Sequence, residues 1–250
     1  MLDLKSPWLN AAGSLGYAPD AHGPIPLSDL GAFVTNPISL RPRRVAAGTR
    51  LFEHAGGVLL HTGMPNPGLA NSIRRYAAKW ARAGMPIIPH LIAEQADEVR
   101  KLVPRFEELD NILAIELGLD RRVGQTLAID LVKAAMGELP LIARVPLERT
   151  MQLAEGLMQT GAVAISLGPP SGALMSGTTA SLHHGRLYGS AIYPQALAVV
   201  EGLAAAGIPV IGAGGVADRA QGVAMLAAGA FAVQLDIALW KGDWEWENGD

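Results

Sequence analysis

Side chains able to carry chemistry are sparse in this sequence, and their types already narrow what it can do. There is no cysteine, which removes thiolate nucleophiles, cysteine metal ligands and disulfides. The five lysines, Lys5, Lys79, Lys101, Lys133 and Lys241, all fall outside the ends of short apolar runs, so a Schiff-base nucleophile has no position to occupy. His90, Glu116, Arg144 and Ser166 each interrupt a short apolar run, and His61 and Asp236 lie in similar surroundings. A charge in such a run needs a partner. Glu116 and Arg144 therefore form either a structural ion pair or a site in which Arg144 anchors an anion while Glu116 or His90 acts as acid or base. In Val210-Ile211-Gly212-Ala213-Gly214-Gly215-Val216 the glycines let backbone N–H groups approach a phosphate. A tight strand-to-helix turn without a ligand would use the same glycines. His183 and His184 have no third ligand at metal spacing, so they are expected to be solvated and no metal is expected.

The elements that must position these residues alternate along the chain. Short β-rich runs at 8–12, 32–36, 87–92, 112–118, 141–145, 163–167, 210–214 and 231–235 read as strands, several of them continuously apolar as in a sheet covered on both faces. Amphipathic stretches at 70–83, 95–108, 124–136, 148–160, 194–206 and 219–228 read as helices, with a short helix at 237–241. Glycine-containing breaks such as Gly84-Met85-Pro86 and Gly207-Ile208-Pro209 suit a helix end followed by a new strand. Eight strands with interleaved helices predict an α/β fold, a (β/α)8 TIM barrel in a single domain over residues 1–242, with an acidic tail at 243–250. Two long connections, 37–68 and 168–193, follow strands two and six and are candidate lids.

Composition agrees. The chain has 250 residues, half of them hydrophobic and 17% charged, which suffices for one large core. A net charge of −3 and a pI near 6.1 give no footprint for nucleic acid or an anionic membrane, so a small-molecule ligand is expected. The first residues lack a basic start followed by an apolar run, and no uncharged stretch approaches the ~20 residues of a membrane span. A cytoplasmic location is the expectation.

Several segments in order resemble the dihydroorotate dehydrogenase family, whose members are FMN-dependent TIM barrels and oxidoreductases of pyrimidine biosynthesis. They are Asn10-Ala11-Ala12-Gly13, Gly31-Ala32-Phe33-Val34-Thr35, Gly63-Met64-Pro65-Asn66-Pro67-Gly68, Gly189-Ser190-Ala191-Ile192-Tyr193-Pro194 and the glycine-rich segment at 212–215, collinear over residues 6–242. The resemblance implies that Ala11, Gly13, Gly189, Gly212, Gly214 and Gly215 contact FMN. It also implies a homodimer, since barrels of this family often pair, and a chain serving mainly as an assembly subunit is a further alternative.

The family's chemistry is depleted at the matching positions. The proton-abstracting base corresponds to Arg121, which stays protonated and cannot take a proton. Neighbouring Asp120 could replace it as base, although an Asp before a helix reads first as an N-cap. The family's lysines correspond to Asn36 and Arg144, and its substrate-binding asparagines to Leu60, Gly118 and Pro169. Where the family has a phosphate-binding Gly-Thr pair, this chain has Asp236-Ile237, and Tyr188 replaces a glycine. A carboxylate ~4 Å from a phosphate would repel it by about 4 kcal/mol per charge pair at an effective dielectric near 20. Alternatively Asp236 caps the short helix after it and occupies the donors a phosphate would use. The expectation is a small-ligand binder or pseudoenzyme with FMN weakened or lost. The alternative is an active FMN oxidoreductase, whose weak catalytic candidates are His90, Glu116 and Arg144.

Overall fold

A computed structural model describes residues 2–20, 26–175, 181–242 and 244–246. Its parallel strands are β1 (Trp8–Asn10), β2 (Phe33–Val34), β5 (Ile87–Ile88), β6 (His90–Ile92), β7 (Ile115–Gly118), β8 (Leu141–Pro146), β9 (Ala164–Gly168), β12 (Val210–Ala213) and β13 (Ala232–Leu235), while β3 (Leu51–His54), β4 (Gly57–Leu60), β10 (Ser171–Met175) and β11 (Leu182–Tyr188) lie in the two long connections. The helices are α1 (Leu69–Ala81), α2 (Ala96–Leu102), α3 (Pro104–Glu107), α4 (Gln125–Ala135), α5 (Thr150–Thr160), α6 (Tyr193–Ala205), α7 (Arg219–Ala227) and α8 (Ile237–Lys241).

Seven strands form one curled parallel sheet in the order β1-β13-β12-β9-β8-β7-β6, while β2 and β5 form a separate parallel pair. The expected eight-stranded cylinder is thus present as a half-barrel of continuous ladder, and the span between β1 and β6 is stitched more loosely. Single bridges join Leu9 to Ala32 and Ile38 to Leu91. Buried Asn10 works as a side-chain rung, donating to Val34 O at 2.7 Å and accepting from Val34 N at 2.9 Å. A polar side chain is retained in the core here because it satisfies backbone groups that short β2 leaves free.

Apolar residues from successive strands fill the concave side of the sheet: Leu9, Ala32, Val34, Ile88, Ala114, Ile142, Ile211 and Ala232 form one buried cluster, distinct from the larger one under the helices. This is the packed interior layer of a barrel-type sheet, and it explains why these strands read as continuous apolar runs.

Three expectations need correction. The helix expected over 95–108 is two helices, because Pro104 lacks an N–H and starts α3 at its first position. The strand expected over 87–92 is interrupted at Pro89 for the same reason, giving β5 and β6. Asp120 does not cap α4, whose N-cap is Gly124; its Oδ1 instead accepts from the Arg122 backbone and side chain, both at 3.0 Å. An Asx turn two residues on outcompetes a more distant helix start.

Of the expected tail, residues 243 and 247–250 lie outside those described. Trp244 is buried, edge-on to Trp8 at 4.9 Å. No described helix is long and apolar enough to cross a membrane.

Candidate functional site

Two residues beyond the apolar layer, the same concave face turns polar. Ile88, Ala114, Ile142, Ala164 and Ala232 are followed at i+2 by His90, Glu116, Arg144, Ser166 and Gln234. Period-two alternation keeps these five on that face, one layer nearer than the apolar residues to the C-terminal ends of the strands, the end at which barrel sites form. All five are buried.

Glu116 is the hub. Its Oε1 meets His90 Nδ1 at 2.7 Å and Arg144 at 3.5 Å, while its Oε2 accepts from Ser166 Oγ at 2.8 Å and Gln234 Nε2 at 2.6 Å. Arg144 also donates to the Gln234 carbonyl oxygen. Burial alone would raise the Glu116 carboxyl, but the Arg144 charge and the His90 and Gln234 hydrogen bonds outweigh it and hold the group at about 2. Burial lowers the His90 imidazole, against the pull of Glu116. An ionised Glu116 beside a neutral His90 fixes the tautomer: Nδ1 carries the proton and donates, leaving Nε2 as an acceptor. The Glu116–Arg144 ion pair is therefore one edge of a five-residue network.

The ring of His90 also explains a glycine. A Cβ at Gly118 would lie 2.7 Å from His90 Cε1 and 2.8 Å from Nε2. A larger side chain at 118, such as the asparagine the family resemblance implies, would need the space that His90 fills.

Above this layer the two long connections converge. They pair as an antiparallel sheet in the order β10-β11-β4-β3, with Arg186 opposite Leu60 and Tyr188 opposite Val58. This lid and the strand ends enclose a cavity of about 320 Å³, lined among others by Leu60, His90, Gly118, Arg121, Arg144 and Pro169. His61 lines it too, but its side chain is exposed, outside the buried network. His183 is half-buried rather than solvated as expected, because its ring stacks on Phe52 at 4.4 Å and Nε2 bonds Ser181 Oγ at 2.8 Å, while His184 is exposed.

The positions implied for FMN divide into two groups. Gly13 (φ +92°) has open space where a Cβ would point, and Ala11 is buried. The glycines at the phosphate end meet protein instead. A Cβ at Gly189 would strike Gly56 O at 2.1 Å, one at Gly215 would lie 2.6 Å from Tyr193 N, and one at Gly212 would lie 2.8 Å from Met225 Sδ. Around Gly214 the neighbours Ile192 and Ala196 stand at 3.3 and 3.4 Å. Close packing of the chain on itself thus already requires these glycines. Asp236 is buried and accepts from Ile237 N at 2.5 Å as N-cap of α8. Burial raises its carboxyl above the usual range, opposed by the Ile237 N–H and by Arg144. Tyr188 packs against Trp240 of α8, centroids 5.2 Å apart. Asp236→Ala should cost about 1 kcal/mol through loss of the cap, read as a shift in the urea midpoint; an unchanged midpoint would show that the cap contributes nothing.

Sequence reasoning identified His90, Glu116, Arg144 and Ser166 but missed Gln234 and Arg186. Gln234 was recoverable, since it stands two residues past Ala232 in an otherwise apolar strand. Arg186 depends on a lid pairing between segments more than 120 residues apart, for which no local signal exists.

No protein-family model matches this chain. Among curated proteins it is 30% identical over 269 residues to dihydroorotate dehydrogenase A (fumarate) of Limosilactobacillus reuteri, spanning 95% of this chain and 84% of that protein. It is 28% identical over 263 residues to the dihydroorotate dehydrogenase B (NAD(+)) catalytic subunit of Pelobacter propionicus, with the same shares covered, and 28% identical to that of Desulforudis audaxviator over 259 residues. By its sequence along nearly its whole length, the chain belongs to the dihydroorotate dehydrogenase family of oxidoreductases.

Proposed function

We propose that this chain is a TIM barrel of the dihydroorotate dehydrogenase family that has given up flavin-dependent oxidation and holds a small molecule in the cavity between the strand ends and the lid. The observation that carries this reading is the chemistry of the cavity wall. Arg121, Leu60, Gly118 and Pro169 stand where the resemblance puts the base and the asparagines, they line one cavity, and none of them can accept a proton from a substrate. At the phosphate end Asp236 already takes the Ile237 N–H, a donor that a phosphate would otherwise use, and the close packing at Gly189, Gly212 and Gly215 accounts for those glycines without a ligand. On this reading the protein, mixed with dihydroorotate, added FMN and a dye acceptor, bleaches no dye above the rate without protein. Steady turnover would end the reading.

A second reading, an active FMN oxidoreductase of pyrimidine biosynthesis with a rebuilt site, draws support from two features. Gly13 faces open space, and His90 presents an acceptor nitrogen held by Glu116. His90 would then serve as the base that Arg121 cannot be.

A further inference from the structure

The cavity carries a charge excess that the protein as a whole lacks. Five arginines line it, Arg43, Arg121, Arg122, Arg144 and Arg186, in a chain whose formal net charge is −3. Three are matched by carboxylates: Arg43 by Glu94 at 3.2 Å, Arg122 by Asp120 at 3.0 Å and Arg144 by Glu116 at 3.5 Å. Among the described residues, Arg121 and Arg186 form no ion pair of their own, although Arg186 feels the Asp120 carboxylate that Arg122 holds and hydrogen-bonds Tyr188. They reach the space from different walls, Arg121 from the turn after β7 and Arg186 from the lid strand β11. The Arg186 side chain is held by a bond to Met64 Sδ at 2.9 Å, while Arg121 is exposed on a turn whose backbone is tied by its carbonyl to Arg149 at 3.2 Å. On the same wall as Arg144, His90 donates through Nδ1 to Glu116 and so offers Nε2 only as an acceptor.

We propose that the ligand is a small dianionic acid with a hydroxyl or N–H donor between its charged ends, one anionic group on Arg121, the other on Arg186, and the donor on His90 Nε2. Five guanidinium groups against three carboxylates leave an excess of two positive charges around a partly enclosed space, which matches two negative charges, and Arg suits either a carboxylate or a phosphate through its planar fork. A monoanion would leave one arginine unmatched; a neutral ligand would leave both. This rests on the reading of the cavity as a ligand site, but its test does not involve flavin.

The test is titration calorimetry with three probes: malate, 3-phosphoglycerate (a hydroxyl between a carboxylate and a phosphate) and the neutral diamide of malate. At least one of the two acids binds, and which of them binds more tightly distinguishes a dicarboxylate from a phosphate ester. The diamide binds at least tenfold more weakly. Arg121→Gln and Arg186→Gln each weaken binding of that acid about ten- to a hundredfold, the usual range for a lost charge-assisted hydrogen bond. Arg82→Gln, on the exposed end of α1, changes nothing, and melting curves confirm that all three variants fold. The proposal is overturned if neither acid binds, if the diamide binds as tightly as malate, or if both cavity variants retain wild-type affinity. Failure of the flavin reading looks different: the protein would be yellow whatever the arginine variants do.

Discussion

Glu116→Leu should destabilise the protein by about 3–5 kcal/mol, because it removes one partner of a buried ion pair and leaves the other uncompensated. Leucine roughly fills the volume, so the loss is electrostatic. Arg144 keeps its charge in a site that is only 7% exposed, and the donors of Ser166 and Gln234 lose their acceptor. Urea unfolding at pH 7 checks the magnitude; a loss below 1 kcal/mol would mean that water or Asp236 compensates Arg144. Acid should narrow the gap. Glu116 sits at about 2 in the folded protein against an ordinary 4.5. The stability it contributes is therefore complete above pH ~4.5 and is lost as pH falls toward 2, an amount of about 3 kcal/mol by linkage. His90 adds in the same direction, since its folded value is lowered: its share is present above its ordinary 6.5 and lost on acidification. Asp236 opposes them. Its raised value means that the cost of burying its charge at neutral pH disappears as pH falls through that value. Wild type should thus lose stability steeply between pH 4.5 and 2, and Glu116→Leu should lack most of that slope.

Arg144→Met should cost a similar 3–5 kcal/mol at pH 8, by stranding the Glu116 carboxylate instead of the guanidinium. Here a nearby group can respond. With Arg144 gone, His90 no longer feels its repulsion and faces an unneutralised carboxylate 2.7 Å away. The imidazole should then take up a proton at a higher pH than in wild type. The destabilisation should accordingly shrink as pH is lowered from 8 to 6, the reverse of the wild-type trend. Histidine NMR during a pH titration reads this directly, and an unmoved His90 titration would mean that Arg144 does not set its environment. The double variant, Glu116→Leu with Arg144→Met, should lose less than the two single losses added, since neither charge is left alone.

The legibility of the molecule followed the range of its interactions. Residues in the half-barrel strands are buried on both sides, so 141–145, for example, reads from its apolar run alone, and Arg144 is conspicuous within it. Glu116 and His90 emerged for the same reason. Gln234 is uncharged and raised no demand for a counter-charge, although its spacing from Ala232 places it in the same layer. The two long connections read as candidate lids, but the sequence does not show how they pair. The hairpin in the first has a local mark, Ala55-Gly56-Gly57 between Leu51-Phe52 and Val58-Leu59-Leu60, but its pairing with β11 depends on residues far along the chain. The reading of Asp120 as a helix cap failed because a nearer partner, the Arg122 N–H, was available.

The most direct test of the account is the visible absorption spectrum of the untagged protein, purified without added cofactor and then titrated with FMN. The account predicts a colourless protein whose added FMN keeps the spectrum and fluorescence of free flavin. A yellow preparation, or tight quenching of FMN at one equivalent, would show that the phosphate end accepts the cofactor despite Asp236, and would contradict the claim that this chain has left flavin chemistry behind.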